Sequence, residues 1–189
     1  IRKYFESIPH DRLLAALARK FKDARLLALF AQIVHGHPCG LPIGSLTSQH
    51  LANFYLGAVD RLARETLRAP GYVRYMDDFT LWEDDPVKLR KHWQAVHAVV
   101  VDELGLELKP NAHMNRAAHG MDFCGFRIFP GWRVLNRRST RRLTAKLRHI
   151  GELAGEREQQ RRAESMIAFA KEGNTWHDRR RALARASTA

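Results

Sequence analysis

The stretch GYVRYMDDFTLW, residues 71–82, decides the fold. Val73 and Tyr75 precede Met76-Asp77-Asp78, and Phe79 and Leu81 follow, a pattern that predicts two strands around a tight turn. The turn carries two adjacent carboxylates. Most Asp pairs are solvated turn residues. Glu83-Asp84-Asp85 is of that kind: it precedes a helix beginning near Pro86, where negative charge complements the helix dipole. Asp77 and Asp78 differ because a hairpin presents them rigidly. Like charges side by side repel, and a bound cation compensates for the repulsion. Hard cations such as Mg2+ take carboxylate oxygens together with substrate phosphates. Two such ions, roughly 4 Å apart, stabilise the attacking and leaving oxygens of a phosphoryl transfer. From this segment alone, the solvated turn and the metal site stand evenly matched.

Outward from the hairpin, the elements alternate in type. Residues 1–5 read as the end of a strand, and SIPHD supplies a turn with Ser7 or Asp11 as helix cap. From Arg12 to Val34 apolar residues recur at helical spacing, and HGHPCGLPIGS, residues 35–45, is a Gly/Pro-rich loop. Residues 46–67 are helical again, as are residues 86–104, and GLELKP reads as a short strand. DFCGFRIF, a Pro-Gly turn and WRVL form a second hairpin over residues 122–135. The tail from Asn136 is basic and helix-like, with a break at KEGNTWHD. This order predicts an α+β fold: an antiparallel sheet packed on helices over residues 1–135, then a helical region over 136–189.

The 189 residues carry 32 Lys+Arg against 20 Asp+Glu, a formal net charge of +12. The tail alone holds 14 Lys/Arg against 6 Asp/Glu. Such an excess points to a polyanionic partner, most simply nucleic acid. Cys39 and Cys124 lack zinc-finger spacing and read as reduced, buried thiols of an intracellular protein. No apolar run is long enough to span a bilayer, and no signal peptide is visible, so the expected location is cytoplasmic and no membrane partner is expected. The opening IRKYFESIPH already reads as the inside of an element, and the chain is expected to be a fragment.

YMDDF, residues 75–79, resembles the catalytic hairpin of reverse transcriptases. GLPIGSLTSQHLANFYLGAVD, residues 40–60, looks like the loop and helix that in this family lie under template and incoming nucleotide. IRKYFESI, residues 1–8, looks like the block after the first catalytic aspartate, and GMDFCGFRIFP, residues 120–130, resembles the primer-grip hairpin. The four blocks occur in the family's order. Within the family, LPIGSLTSQ, residues 41–49, is similar to the Ile-Gly-Asn-Leu-Thr-Ser-Gln signature of diversity-generating retroelements, with Ser45 in place of the usual Asn. The resemblance implies a polymerase palm followed by a basic helical thumb, with the fingers absent. It implies a bacterial or phage-encoded RNA-directed DNA polymerase that copies a template RNA into cDNA from a DNA primer and deoxynucleotide triphosphates. It also implies frequent errors opposite adenine and a small basic accessory protein as partner.

Carried over residue by residue, the resemblance makes Asp77 and Asp78 catalytic metal ligands for two Mg2+ ions, with Mn2+ as a substitute. The third aspartate of the family would immediately precede Ile1, so this chain is expected to bind metal weakly and not to polymerise alone. Ile1 matches a position whose backbone carbonyl helps bind metal or phosphate. Phe5 matches the aromatic under the nucleotide's sugar, where a ring excludes a 2′-hydroxyl. Read without the resemblance, Phe5 is a core aromatic. Ile43 and Gly44 would line the nucleotide pocket where many relatives have Gln, and loss of that polar contact lowers discrimination. Tyr75 and Met76 flank the same pocket. Phe123, Cys124, Gly125 and Phe126 match the primer grip.

The family segment resembling LELKPNAHM ends in a Lys, proposed as general acid for the leaving pyrophosphate, where this chain has Ala112. Lys109 and His113 lie close by; each reads as a solvated Lys and a turn His, with proton donation the alternative. Arg137, Arg138, Arg141, Arg142, Lys146 and Arg148 fit a thumb helix gripping backbone phosphates, because no acid interrupts residues 137–148. Trp176 and the following HDRRR would complete the thumb or bind the accessory protein. Two other readings stay open: a group II intron-like, CRISPR-associated or phage-defence reverse transcriptase, and a catalytically silent RNA-binding palm.

Overall fold

The computed structural model describes residues 1–110, 112–148 and 155–174. The fold is α+β, with eight α-helices and two small antiparallel sheets among the described residues. The chain divides into two compact units, Ile1–Ala112 and His113–Ala189.

The first unit opens with α1, Tyr4–Ser7, then α2, His10–Lys20, and α3, Ala24–His35. Residues 1–5 are therefore not a strand end. Lys3 takes a left-handed backbone (φ 42°) and turns the chain directly into α1, which overrides the strand preference of Tyr4 and Phe5. The single helix expected over 12–34 is two helices. Phe21 is extended, and the Asp23 carboxylate accepts a 2.9 Å bond from the Leu26 amide to start α3. Apolar residues recur on both sides of that break, but the step of five from Phe21 to Leu26 leaves helical phase there. The cap expected at Ser7 or Asp11 falls instead on Pro9, without a side-chain bond.

After the Gly/Pro loop come α4, Leu46–Tyr55, and α5, Gly57–Arg61, which continues into a π-helical turn, Leu62–Thr66. The first sheet pairs β1, Gly71–Tyr75, with β2, Asp78–Trp82. The helix α6, Pro86–Ala98, starts where expected: the Asp85 carboxylate accepts from the Val87 amide at 2.8 Å, and Pro86 occupies the first turn. It runs into a second π-helical turn, Val99–Glu103. GLELKP is not a strand in a ladder. Leu106 is buried and its amide bonds Val100, while the Glu107 carbonyl accepts from the Arg2 amide at 2.8 Å.

One core joins these elements, built on Ile8, Leu13, Leu17, Leu41, Leu56 and Val100, each at most 2% exposed. Two buried tyrosines tie it down. Tyr4 Oη donates to the Ala52 carbonyl at 2.6 Å, and Tyr55 Oη donates to Leu104 at 2.7 Å. Burial pushes the Tyr55 phenol up to about 12 and Tyr4 higher still, so both stay neutral donors.

The second unit holds three strands: β3, Met121–Phe123; β4, Phe126–Phe129; and β5, Trp132–Leu135. The expected hairpin is a three-stranded meander. Cys124 and Gly125 both have positive φ (47° and 86°) and make a tight two-residue turn that splits DFCGFRIF. The Pro130-Gly131 turn falls where expected. The sheet packs on α7, Arg137–Arg148, and α8, Glu156–Lys171, through Phe126, Leu135, Leu143, Leu147 and Ala170. α8 ends at Lys171, where the break at KEGNTWHD is expected; the helix expected beyond it, with Trp176 and the HDRRR run, lies outside the described residues. Cys39 and Cys124 form no disulfide, but both are exposed rather than buried, since each sits in a loop or turn. Among the described residues, no helix is long and apolar enough to cross a membrane.

Candidate functional site

The β1–β2 hairpin pairs Tyr75 with Asp78, leaving Met76 and Asp77 as its tip. Side chains alternate between faces. Tyr72 and Arg74, with their partners Leu81 and Phe79, share one face, and Phe79 packs against the core. Val73 and Tyr75 share the other face and are exposed, Tyr75 by 65%. The hairpin is therefore buried on one side only, and its acids stand at the border between core and solvent. Asp78 is 58% exposed and Asp77 27%.

Three other segments meet these acids. The Ile1 backbone nitrogen lies 3.3 Å from the Asp77 carbonyl oxygen and 3.7 Å from its carboxylate. Ile1 is buried, with its side chain in the core. Lys109 places Nζ 2.9 Å from Asp78 Oδ1 and 3.5 Å from Asp77 Oδ2. The hydrogen bond to Asp78 holds the Lys109 ammonium above its usual range. Lys109 is thus not a solvated lysine but the cation that offsets the repulsion of the two carboxylates. The third, α5, reaches the turn through Arg74 of β1. Arg74 donates to the Met76 carbonyl at 2.9 Å and forms a two-pronged pair with Asp60 on α5, at 2.7 and 2.5 Å.

Phe5 and the loop at 40–44 are also brought together. The Leu41 amide donates to the Phe5 carbonyl at 2.7 Å, and the His10 ring bonds the Gly40 carbonyl at 2.7 Å. Gly40 has φ 59°, and a Cβ there would lie 2.3 Å from the Phe5 carbonyl oxygen, so this close approach requires glycine. Phe5 is half-buried against the core. Ile43 is 76% exposed and Gly44 is exposed, so these two positions present surface rather than packing.

In the second unit, Phe123, Cys124, Gly125 and Phe126 form the β3–β4 turn, with Phe126 buried and Cys124 exposed. Gly125 approaches Phe169 of α8 and Ser139 of α7. On α7, Leu143 and Leu147 face the core while Arg137, Arg138, Arg141, Arg142 and Lys146 are exposed. The Arg148 side chain lies outside the described residues.

The residues that sequence reasoning missed are Arg74, Asp60 and Asn53. A signal existed: Arg74 shares the inward face with Tyr72, where a cation requires a partner. The partner, 14 positions upstream on a helix, had no local mark. As to a metal, the donor set is two hard carboxylates with an open flank, which suits Mg2+, an ion that keeps waters and takes one or two carboxylates plus substrate phosphates. Among the described residues no group of three or more His, Cys, Asp or Glu is placed to hold an ion.

No family model matches the chain. A stretch of 70 residues is 37% identical to an uncharacterized 91 kDa protein in the cob intron of Schizosaccharomyces pombe; the match covers 32% of this chain and 9% of that protein.

Proposed function

We propose that the chain is the palm and thumb of an RNA-directed DNA polymerase, extending a DNA primer along a template RNA from deoxynucleotide triphosphates. The observation that carries this reading is the approach of Ile1 to Asp77, 76 positions apart in sequence. The reverse-transcriptase resemblance requires the block at 1–8 and the hairpin at 75–79 to converge, and no local pattern requires it. The location of the similar S. pombe protein in an intron accords with a nucleic-acid role.

Asp77 and Asp78 would hold Mg2+, or Mn2+, whose chemistry there is to neutralise the phosphate oxygens as pyrophosphate leaves. Ile1 would complete the oxygen set through its backbone. In a chain that continues upstream, the preceding residue is joined at the nitrogen beside Asp77, where an aspartate would add a third carboxylate. Phe5 excludes a 2′-hydroxyl, the exposed Ile43 and Gly44 shape the pocket, and Tyr75 and Met76 border it. Lys109 steadies the acids and is within reach to donate a proton to departing pyrophosphate. The turn at 123–126 bears on the primer, and the basic face of α7 grips the phosphate backbone without reading sequence. The subfamily we favour is the diversity-generating retroelement, on the LPIGSLTSQ loop, with a small basic accessory protein as partner.

The test is primer extension on an RNA template by the protein with its native flanking sequence. Asp77→Asn and Asp78→Asn each abolish extension while leaving RNA binding intact. Retained synthesis in either variant sinks the proposal; RNA binding without synthesis in the wild type favours a silent RNA-binding palm.

A further inference from the structure

The two carboxylates sit on a turn that is not self-supporting. Met76 has φ 54°, the left-handed region, which costs a non-glycine residue about 1 kcal/mol or more. Such a conformation persists only where surrounding bonds over-determine it. Here Arg74 supplies the bond to the Met76 carbonyl itself, while the Ile1 nitrogen and Lys109 hold the acids beside it.

Arg74 is 12% exposed, and all five of its N–H groups are engaged. Nε donates to Asp60 Oδ1 at 2.7 Å, and one terminal nitrogen donates to Asp60 Oδ2 at 2.5 Å. The other terminal nitrogen serves Asn53 Oδ1 at 2.7 Å and the Met76 carbonyl at 2.9 Å. The fifth contact, to the Asn53 carbonyl, is long at 3.5 Å. Tyr72 Oη donates to Asp60 Oδ1 at 2.7 Å, locking the acid from the neighbouring inward position. Asn53 belongs to α4, the helix that follows the LPIGS loop, and Asp60 to α5. One planar guanidinium therefore joins the carbonyl beside Asp77 to the helices behind the nucleotide loop.

We infer that Arg74 is a positioning residue for the paired carboxylates, a strut fixing the 75–78 turn to α4 and α5. The inference rests on the reading of Asp77 and Asp78 as metal ligands. Partners that orient metal ligands from behind commonly govern affinity by 10- to 100-fold. The geometry is of that type: Arg74 touches no metal-binding atom but holds the backbone from which both acids project. The two charged groups behave accordingly. Burial alone would raise the Asp60 carboxyl, but the bonds from Arg74 and Tyr72 hold it below its usual range, and the bond from Asp60 raises Arg74. The pair is ionised throughout the neutral range and acts as a fixed brace. Lysine cannot replace Arg74, because an ammonium cannot span a two-pronged carboxylate, Asn53 and a carbonyl in one plane.

The test is Mn2+ titration of the protein with its native flanking sequence, read by electron paramagnetic resonance well below the melting temperature, so that a loss of stability alone does not register. Asp77→Asn removes binding. Arg74→Lys, which keeps the charge, weakens it about 10- to 100-fold, and Tyr72→Phe, which keeps the Arg74–Asp60 pair, stays within about twofold of wild type. Asn53→Ala serves if Arg74→Lys does not fold: it cuts one anchor of the strut and weakens binding by at least about threefold. Wild-type affinity in Arg74→Lys or, where that variant does not fold, in Asn53→Ala, overturns the strut. Absence of Mn2+ binding in the wild type, or its persistence in Asp77→Asn, overturns the metal reading and the strut with it.

Discussion

Ile43 shows how a residue's setting can escape its sequence. Its place in LPIGSLTSQ marked it as a nucleotide contact by resemblance, yet a β-branched aliphatic residue is ordinarily core. The structure leaves it 76% exposed, with no packing role to confound a substitution. Ile43→Gln is therefore expected to leave the melting temperature unchanged, within about 0.5 kcal/mol of stability. In the polymerase reading it restores a polar contact and lowers misincorporation several-fold, checked by sequencing cDNA copied from a defined template. An unmoved error spectrum removes Ile43 from the pocket. The placement of Asp77 and Asp78 at a hairpin turn was legible, from the alternation on either side of them. That of Lys109, which offsets their repulsion at 2.9 Å from Asp78, was not, because nothing near it in sequence marks its partners.

At the scale of elements, the hairpin, α4 and α6 were readable, since alternation, periodicity and an Asp-Pro start each leave a local trace. The break between α2 and α3 was passed over because both helices are rich in leucine, although the five-residue step from Phe21 to Leu26 departs from helical phase and marks it. The entry into α1 was missed for another reason: tertiary packing of Tyr4 overrode local preference, fixed by its bond to Ala52. The join between α1 and the 40–44 loop is the element-level contact that unites two predicted nucleotide segments. It depends on the missing side chain at Gly40. Gly40→Ala is expected to cost at least about 2 kcal/mol, from a positive φ compounded by a clash with backbone that cannot yield. Thermal or urea unfolding checks it. Because the loop must part from Phe5 to admit the methyl group, the same variant in an active polymerase should lose deoxynucleotide affinity more than turnover.

Across the whole molecule, charge and chemistry are divided between the two units. Residues 113–189 carry 17 Lys/Arg against 7 Asp/Glu, so most of the +12 resides there, while the first unit, with Asp77 and Asp78, is close to neutral. The sheet at 121–135, which reads by resemblance as palm, belongs to the second compact unit, with apolar residues buried against α7 and α8. This partition predicts a double dissociation. Replacing Arg141, Arg142 and Lys146 together by Gln removes three exposed cations from a helix face whose core contacts, Leu143 and Leu147, stay in place. Each lost phosphate contact lowers the slope of log affinity against log salt by about 0.7 to 0.9. Binding to RNA–DNA duplex should therefore weaken and lose up to about 2.7 units of salt slope, with Mn2+ binding at the carboxylates unchanged. Asp77→Asn should do the reverse, abolishing Mn2+ binding while the salt slope stays that of the wild type. Nucleic-acid binding measured by fluorescence anisotropy from low to moderate salt decides the matter. A salt slope that the triple variant leaves intact would move the phosphate grip off α7, and a slope that falls in Asp77→Asn would place nucleic-acid contacts in the first unit as well.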